Sequence, residues 1–396
     1  MSAISGRLVR ATAARAAVVG TLHVRADGET SISKGSPPEP AAELVVHDSG
    51  DLVRRTLRTG SVGFAEAYVA GSWDSPDLAD LLELAVLSHD RRRRASGGGT
   101  VMRSFRAAWD RLMRRPGATA VSTMVDHYNL GNEFYSAWLD PSMSYSSAVF
   151  RAGDDLESAQ RRKYELLAEL ADVQPGDRVL EVGCGWGAMA EYLASALDCD
   201  VMAVTISSEQ HAYVTDRMKR AGLDDKVEVL LADFRSIDGE FDRVVSVEMI
   251  ESIDEAAWTD LFAVISRSLR PGGVAALQAI TIDHDLHEDM VGRREFIRSY
   301  VFPGGALPSV EVLRRLGRSA GLDHMRLTSH GASYARTLAL WQERFQRAWP
   351  ELNSGLTHLD EPFKRMWHYY LAYCEAGFRS GRIDGVQVAY RKPGAA

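Results

Sequence analysis

Short apolar segments alternate with helical patterns through the middle of the chain. The helical patterns lie between the apolar runs, for example at Ala188–Ala196 and Ser208–Ala221. Such alternation is typical of a parallel β-sheet with helices on both faces, whose buried strands are short and apolar throughout. The pattern therefore predicts an α/β fold with strands at Arg178–Val182, Val201–Thr205, Val227–Leu230, Arg243–Val247 and Val274–Ile280.

Further segments extend this prediction towards the carboxyl terminus. A helix predicted over Ala257–Leu269 ends in Arg-Pro-Gly-Gly at 270–273, where proline and glycine stop the helix and turn the chain into the fifth strand. Two alternating segments, His324–Ser329 and Val386–Tyr390, predict additional strands at a sheet edge.

The amino-terminal part has the pattern of a smaller domain. Apolar alternation at Thr21–Val24 and Leu44–His47 predicts short strands, and Asp77–Leu87 predicts a helix. The run RRRRASGGGT that follows, Arg91–Thr100, combines charge with flexible serine and glycine backbone and indicates a linker. We therefore expect a small amino-terminal domain (1–90), a basic linker with a helical segment at Arg103–Arg115 (91–120), and a large carboxyl-terminal domain (121–396).

Composition and charge fit an ordinary globular protein of about two domains. The chain has 396 residues, of which 45% are hydrophobic and 25% charged, and its net charge is −8. Between Asp90 and Arg115, nine arginines and two aspartates give a local charge of +7, which leaves −15 for the remainder. The overall charge argues against nucleic-acid binding. The basic segment itself has two interpretations, a solvated linker or a patch that attracts an anionic membrane surface.

Other composition features concern the cellular compartment. The amino terminus lacks an uninterrupted apolar stretch followed by a cleavage site, and no apolar run reaches the roughly 18–20 residues that span a bilayer. We therefore expect a cytoplasmic protein without a spanning segment. The cysteines, Cys184, Cys199 and Cys374, are too widely spaced for a disulfide framework or a zinc site, so we expect them to be reduced.

A glycine-rich turn follows the first strand of the predicted parallel sheet, in VLEVGCGWGAMA at 179–190. Gly183, Gly185 and Gly187 permit positive φ angles and the close approach of a ligand, although a turn of this kind also occurs without one. A dinucleotide site has the wider spacing GxGxxG and an acidic residue after the second strand. Here the second strand ends in Thr205-Ile206-Ser207, which argues against such a site.

Three more residues make the interpretation of the glycine turn more specific. Glu181 precedes the first glycine, and Asp233 and Phe234 follow the third strand. Together they resemble the S-adenosylmethionine site of class I methyltransferases, in which Phe234 is expected to stack on the adenine ring and Asp233 to accept its amino group. A buried aromatic residue at a strand end is the alternative for Phe234 alone.

Longer segments resemble the cyclopropane-fatty-acyl-phospholipid synthase family. The likeness covers roughly Val121 to the end, and GFAEAYVAGSWDSPDL, Gly63–Leu78, extends it into the amino-terminal domain of the longer bacterial members. The segments that carry it are DHYNLGNEFYSAWLDPSMSYSSA, SAQRRKYELL, VLEVGCGWG, VTISSEQ, VSVEMIES, YVFPGGALPS and YYLAYCEAGFRSG.

This resemblance implies a class I methyltransferase (Rossmann-like) seven-stranded sheet, with helical insertions that cover an acyl channel. It also implies transfer of a methyl group from S-adenosylmethionine to a cis double bond in a phospholipid acyl chain. The resulting cation is expected to lose a proton and close to a cyclopropane. The cofactor-binding residues implied, with those named above, are Tyr145, Ser146, Gly183, Gly185, Thr205, Ile206 and Gln210.

The resemblance further implies that a bound bicarbonate removes the proton. The positions that match its pocket are Ser147, Glu251, Gln278, Ile280 and Tyr334. Two of them depart from the family pattern, because Ser147 replaces a cysteine and Gln278 replaces a histidine. A related actinobacterial group leaves the cation to a hydride shift, forms an exocyclic methylene, and uses a partner reductase to give a methyl branch. The segment QAIT resembles that group, so this product remains an alternative to the ring.

Several residues have two interpretations. Cys374 lies at a position once regarded as catalytic in this family, but a cysteine there is also an ordinary small core residue. The segment His284–Asp289 contains residues that bind metals, but a solvated loop without a metal is the simpler interpretation. A non-catalytic lipid-binding or cofactor-binding protein is the alternative from another class. By analogy with members that act on membranes, we expect peripheral attachment at the inner face of the membrane and a homodimer.

Overall fold

A computed structural model describes residues 5–6, 9, 17–95, 130–290, 296, 301, 305–356 and 359–394. The predicted helix at Arg103–Arg115, most of the predicted linker and the expected domain start near Val121 lie outside these residues. The chain divides into two compact units, here called the amino-terminal unit (Met1–Asp126, Arg294–Val301, Trp349–Ser380) and the sheet unit (His127–Arg293, Phe302–Ala348, Gly381–Ala396). The amino-terminal unit thus includes 349–380, which the sequence assigned to the large domain.

The amino-terminal unit contains a four-stranded sheet with the order β2-β1-β3-β4. Its strands are β1 (Val19–Ala26), β2 (Glu29–Lys34), β3 (Ser36–Val46) and β4 (Trp73–Asp74), and its helices are α1 (Ser49–Thr59), α2 (Ser61–Val69) and α3 (Leu78–Ala95). Along β1, Leu22, Val24 and Ala26 are buried on one face, as the alternation predicts. The predicted strands and helix of this region are all present.

The helices of the sheet unit begin with α4 (Gly131–Ser136) and α5 (Leu156–Leu170). They continue with α6 (Ala188–Leu197), α7 (Ser208–Ala221), α8 (Trp258–Ser268), α9 (His284–Met290), α10 (Val310–Ser319) and α11 (Gly331–Gly355), whose last residues belong to the amino-terminal unit. Helix α12 (Glu361–Arg379) lies in the amino-terminal unit. Within the described residues, no helix is long and apolar enough to cross a membrane.

The sheet unit has seven strands in the order β10-β11-β9-β8-β5-β6-β7. They are β5 (Arg178–Val182), β6 (Asp200–Thr205), β7 (Val227–Leu231), β8 (Phe241–Val247), β9 (Leu269–Ile282), β10 (Asp323–Ser329) and β11 (Ile383–Arg391). Strands β5 to β9 are parallel, whereas β10 and β11 are antiparallel to their neighbours. All seven predicted strands are present. Of the two strands predicted at a sheet edge, β10 is at an edge and β11 is not, because β11 lies between β9 and β10.

The two faces of the seven-stranded sheet are covered by separate apolar clusters. Leu180 and Val182 belong to one cluster, and Val179, which directly precedes Leu180, belongs to the other, because successive side chains on a strand point to opposite faces. Both clusters are almost entirely buried. The sheet is thus covered on both sides.

Candidate active site

A cavity of about 430 Å³ lies at the carboxyl ends of β5 to β8. The chain leaves β5 towards β6 on one side, while β8 lies on the other side, and such a reversal of strand order opens a crevice for ligands. All nine predicted cofactor residues line this cavity: Tyr145, Ser146, Gly183, Gly185, Thr205, Ile206, Gln210, Asp233 and Phe234.

The turn after β5 depends on glycine. Gly183 and Gly185 have φ angles of +81° and +53°, in the left-handed region that other residues rarely adopt. The amides of Gly183 and Cys184 both donate to the carbonyl oxygen of Val204 in β6, at 3.0 and 2.9 Å. A Cβ atom on Gly183 would lie only 2.8 Å from Cγ of Met249. This position therefore tolerates no side chain.

The next loop, after β6, positions Gln210. Oγ1 of Thr205 donates to Oε1 of Gln210 at 2.8 Å, and Ser207 caps α7 by accepting a hydrogen bond from the Gln210 amide. Between them, Ile206 is 79% exposed, which is unusual for an isoleucine. The loop thus presents an apolar surface and a polar side chain to the cavity.

Asp233 and Phe234 follow β7. Phe234 is buried, and the guanidinium carbon of Arg235 lies 5.6 Å from the centre of its ring. The same guanidinium donates to both carboxylate oxygens of Asp233, at 2.9 and 2.6 Å, and these hydrogen bonds lower the pKa of Asp233 to about 2. Asp233 is therefore ionised, and its oxygens keep further lone pairs for a ligand.

Buried polar groups hold Ser146 in place. Nζ of Lys163, a fully buried residue of α5, donates to Oγ of Ser146 at 2.5 Å, and Nε2 of Gln160 donates to its carbonyl oxygen at 2.9 Å. Burial lowers the pKa of Lys163 to about 8. Its neighbour Tyr145 packs against aromatic rings, with 5.4 Å between its ring centre and that of Trp341.

Glu181 gives the cavity a buried carboxyl group. Burial raises its pKa to about 8, and its Oε2 atom has no hydrogen-bond partner among the described residues. Beside the glycine turn, a carboxyl oxygen without a hydrogen-bond partner suits a ligand with a cationic or amino group. S-adenosylmethionine has both, so the residues present fit this cofactor.

Another residue, Glu248, organises the catalytic side of the cavity. It follows β8, lines the cavity and has a φ angle of +50°. Oε1 accepts hydrogen bonds from the Ser147 amide at 2.9 Å and from Nε2 of Gln278 at 2.8 Å, and Oε2 accepts one from the Tyr334 hydroxyl at 2.6 Å. Burial raises the pKa of Glu248.

The sequence analysis did not single out Glu248, although it lies in the segment VSVEMIES. The available signal was an acidic residue directly after a buried parallel strand, where ligand-binding groups gather. The family comparison drew attention instead to Glu251, three positions later.

Glu251 lies beside Glu248 but does not line the cavity. Its Oε1 atom accepts a hydrogen bond from the Ile280 amide, and its buried Oε2 atom has no partner among the described residues. Burial, followed by the charge of Glu248, raises the pKa of Glu251 to about 8. At neutral pH Glu251 is therefore protonated.

The positions expected to bind bicarbonate are close together, but their donors serve the two carboxyl groups. Gln278 and Tyr334 donate to Glu248, and the Ile280 amide donates to Glu251. The hydroxyl of Ser147 donates to the carbonyl oxygen of Ala148 at 2.9 Å. This arrangement does not fit a separate anion.

Two other candidates from the sequence are not among the residues that line the cavity. Cys374 lies on α12 in the amino-terminal unit, and burial raises the pKa of its thiol to about 12, so its surroundings are those of a core cysteine. In the segment considered for metal binding, Nδ1 of His284 is 2.8 Å from Oγ of Ser309, and Nδ1 of His287 is 3.1 Å from the Leu307 carbonyl oxygen. Both rings therefore have ordinary polar partners.

Comparison with known proteins gives consistent matches. The sequence profile described as mycolic acid cyclopropane synthetase matches residues 117–388. The tuberculostearic acid methyltransferase UfaA1 of Mycobacterium tuberculosis is 38% identical over 98% of this chain and 90% of its own length. The cyclopropane-fatty-acyl-phospholipid synthase of Escherichia coli K12 is 37% identical, and the alignment covers 86% of each chain.

Solved structures also match a large part of this chain. The cyclopropane synthase MmaA2 from M. tuberculosis is 30% identical with a TM-score of 0.63, covering 70% of this chain and 100% of that one. The mycolic acid cyclopropane synthase CmaA1, in complex with SAH and CTAB, is 30% identical with a TM-score of 0.62, covering 70% and 99%. The fold class predicted from the sequence is thereby confirmed.

Proposed function

We propose that this chain, which belongs to the mycolic acid cyclopropane synthetase family, methylates a cis double bond in phospholipid acyl chains. The family also contains the cyclopropane-fatty-acyl-phospholipid synthases, and the chain is an S-adenosylmethionine-dependent methyltransferase. The product of this reaction is a cyclopropane ring. The observation that carries the proposal is the cavity at the carboxyl ends of β5 to β8, where all nine expected cofactor residues meet the carboxyl groups of Glu181 and Glu248.

S-adenosylmethionine, when bound, supplies an electrophilic methyl group. The glycine turn leaves room for it, Gln210 and Asp233 offer polar atoms, and Phe234 offers an aromatic face. An alkene is a weak nucleophile, so the transition state carries positive charge on carbon and gains from negative or π-rich neighbours that exclude water. Glu248 and Tyr145 provide such neighbours at the cavity wall.

Bicarbonate has no step in this proposal. The donors expected to hold it are hydrogen-bonded to Glu248 and Glu251, and the residues present therefore do not fit it. Proton loss from the cation is instead assigned to the chain itself.

The simplest test supplies purified protein with S-adenosylmethionine and vesicles of an oleoyl phospholipid. We expect S-adenosylhomocysteine to form with these vesicles and not with vesicles of a saturated phospholipid of the same head group. Absence of S-adenosylhomocysteine in both cases would favour the non-catalytic alternative.

A methyl-branched product is a second candidate, favoured by the similarity to a tuberculostearic acid methyltransferase over 98% of the chain. Both routes share the methyl transfer, but the second ends in a methylene group that a partner reductase then reduces. The ring and methylene products have the same mass, so the proton NMR spectrum of the extracted lipid decides between them. Cyclopropyl protons support the ring, and vinylidene protons support the branch.

We also propose peripheral attachment to the anionic inner face of the membrane. Arg91, Arg92 and Arg94 are exposed at the end of α3, where the basic stretch begins. Each basic residue near an anionic surface contributes about 1 kcal/mol. Reversing the charges of 91–94 should weaken co-sedimentation with anionic vesicles at low salt, whereas reversing Arg54 and Arg58 of α1 serves as the control. Equal effects of both changes would contradict a specific patch.

The homodimer expected by analogy stays a prediction. Light scattering of the purified protein, with and without anionic vesicles, measures it directly.

A further inference from the structure

Glu248 lines the cofactor cavity and is hydrogen-bonded to Gln278 and Tyr334. We propose that the carboxylate of Glu248 is itself the general base of this enzyme and accepts the proton that the methylated acyl chain loses. The inference rests on the proposed function, since it concerns the second half of the same reaction. It assigns that step to a residue of the chain.

The hydrogen bonds around Glu248 are those of a site built for a carboxylate. Three donors from separate parts of the chain converge on its two oxygens, the Ser147 amide, the Gln278 side chain and the Tyr334 hydroxyl, at 2.6 to 2.9 Å. Hydrogen bonds of this kind favour the charged form of a carboxyl group. They offset the burial that raises its pKa, and they hold both oxygens in fixed positions.

Glu248 is also the member of this cluster that reaches the ligand. It lines the cavity together with the cofactor residues, whereas Ser147, Gln278, Tyr334 and Glu251 do not. A base must lie within hydrogen-bond reach of the proton it removes. The other four residues therefore act behind Glu248, and their expected catalytic importance follows from their contacts with it.

The backbone at this position favours a different residue. The φ angle of Glu248 is +50°, a conformation that is strained for a residue with a side chain and that glycine adopts freely. A carboxylate retained at such a position is consistent with a functional requirement for the side chain.

A second layer of hydrogen bonds fixes the donors. Nε2 of Gln387 in β11 donates to Oε1 of Gln278 at 3.0 Å, which directs the Gln278 amino group towards Glu248. The Gln278 carbonyl oxygen accepts from the Glu248 amide at 2.9 Å. Burial and the charge of Glu248 raise the pKa of Glu251 to about 8, whereas the three hydrogen bonds to Glu248 favour its charged form.

The step balances without another reactant. After methyl transfer, one C–H bond of the new methyl group breaks, and its electron pair forms the C–C bond that closes the ring. The proton goes to an oxygen of Glu248, which becomes neutral and later returns the proton to solvent. No oxidant or reductant is needed.

The variant Glu248→Gly tests this assignment, because glycine suits the backbone and leaves a carboxylate-sized space with three donors. In buffer freed of carbon dioxide, we expect the wild type to keep its rate of lipid product formation and Glu248→Gly to lose about 10²–10⁴-fold. Added formate or bicarbonate should restore much of that loss. Glu248→Gln should be equally slow but not restored, since its amide fills the space.

Controls separate this role from folding and from the proposed function. Asp198→Gly removes another side chain from a left-handed backbone position (φ +57°), at the far end of α6, and should show no dependence on formate. Each variant is accepted only if it binds S-adenosylhomocysteine as the wild type does.

Three results would overturn the inference: a wild type that needs added bicarbonate, a Glu248→Gly variant with normal product formation, or a loss that neither anion restores. A wild type that forms no S-adenosylhomocysteine with unsaturated phospholipid would instead contradict the proposed function.

Discussion

The turns after β5 and after β8 both redirect the chain at the carboxyl end of a parallel strand, but they use different residues to do so. The two strands are parallel neighbours, and both turns bend with a left-handed residue, Gly183 at φ +81° and Glu248 at φ +50°. At Gly183 a side chain is excluded, because Met249 of the other turn occupies the space it would need. At Glu248 a side chain is kept despite the backbone cost. One turn therefore serves the ligand through its backbone, and the other serves the reaction through a carboxylate.

The two turns also differ in their electrostatic cost. The glycine turn is held by backbone hydrogen bonds to β6 and carries no charge of its own. The second turn buries two carboxyl groups, and the pKa of each is raised. Raised carboxyl pKa values mean that ionisation opposes folding. The comparison thus predicts that changes in the first turn affect cofactor binding, while changes in the second affect stability and rate.

The largest effect is expected from Gly183→Val, which breaks the first turn. A β-branched residue at φ +81° is strained, and its Cβ would overlap Cγ of Met249. A loss of about 3 kcal/mol corresponds to an affinity for S-adenosylhomocysteine more than about 100-fold weaker. Isothermal titration calorimetry measures it.

Gly222→Ala is the matched control for backbone strain. Gly222 also has a positive φ angle, +66°, but it caps the end of α7 and a Cβ there meets nothing within 4 Å. This variant should lose about 1 kcal/mol of stability and bind the cofactor normally. Equal loss of cofactor affinity in both variants would mean that strain alone explains the result.

A smaller effect is expected from Glu251→Gln, which tests whether the ionisable carboxyl group of the second turn lowers the free energy of unfolding. The native carboxyl group keeps its proton up to about pH 8, whereas an unfolded glutamate loses it near its ordinary value of 4.5. The free energy of unfolding of the wild type therefore falls as the pH rises from 4.5 to 8. The glutamine variant lacks this decrease, because its side chain does not ionise. The variant should gain on the order of 2 kcal/mol at pH 8 and little at pH 5. Urea unfolding at both pH values checks it, and an equal difference at the two would refute the assignment.

The smallest effect is expected from Tyr334→Phe, which removes one donor to Glu248 and leaves the ring. Loss of that hydrogen bond raises the pKa of Glu248, because the bond favours the carboxylate. We expect kcat to fall roughly tenfold, the equivalent of about one pKa unit, and the acid limb of the pH profile to move to higher pH.

Tyr390→Phe provides the comparison for that change. The Tyr390 hydroxyl is buried and donates to the Leu313 carbonyl oxygen at 3.0 Å, outside the cavity. It should lose stability without any change in the pH profile. If the pH profile moves in neither variant, the Tyr334 hydroxyl does not influence the pKa of Glu248.

The fold was largely predictable, because buried strands and amphipathic helices have periods that the sequence displays directly. Strand β5 and helix α7 have the predicted boundaries. The position of β11 between β9 and β10 was not predictable from the alternation of Val386–Tyr390, since pairing depends on contacts between distant segments. The same reason explains why 349–380 falls in the amino-terminal unit.

The cofactor side of the site was predictable for a different reason. Glycines and the residues after each strand lie at fixed distances along the chain, so local spacing locates them. The catalytic side depends on Glu248, whose three partners at 147, 278 and 334 are far apart in sequence. Local spacing carries no information about such a convergence. Cys374 shows the limit of similarity alone, since its residue type fits both a catalytic thiol and a core cysteine, and its catalytic role stays a prediction.

The pairing of β9 with β11 has a consequence for the folding of the protein during its synthesis on the ribosome. Gln387 lies directly across from Gln278 and orients its amide, yet it is translated more than a hundred residues after Gln278. The parallel strands β5 to β9 are all made before it. A nascent chain can thus form the glycine turn before β11 is synthesised. The hydrogen bonds that position Gln278 and Glu248 are complete only after β11 pairs with β9. Catalytic competence is the last property that this polypeptide acquires.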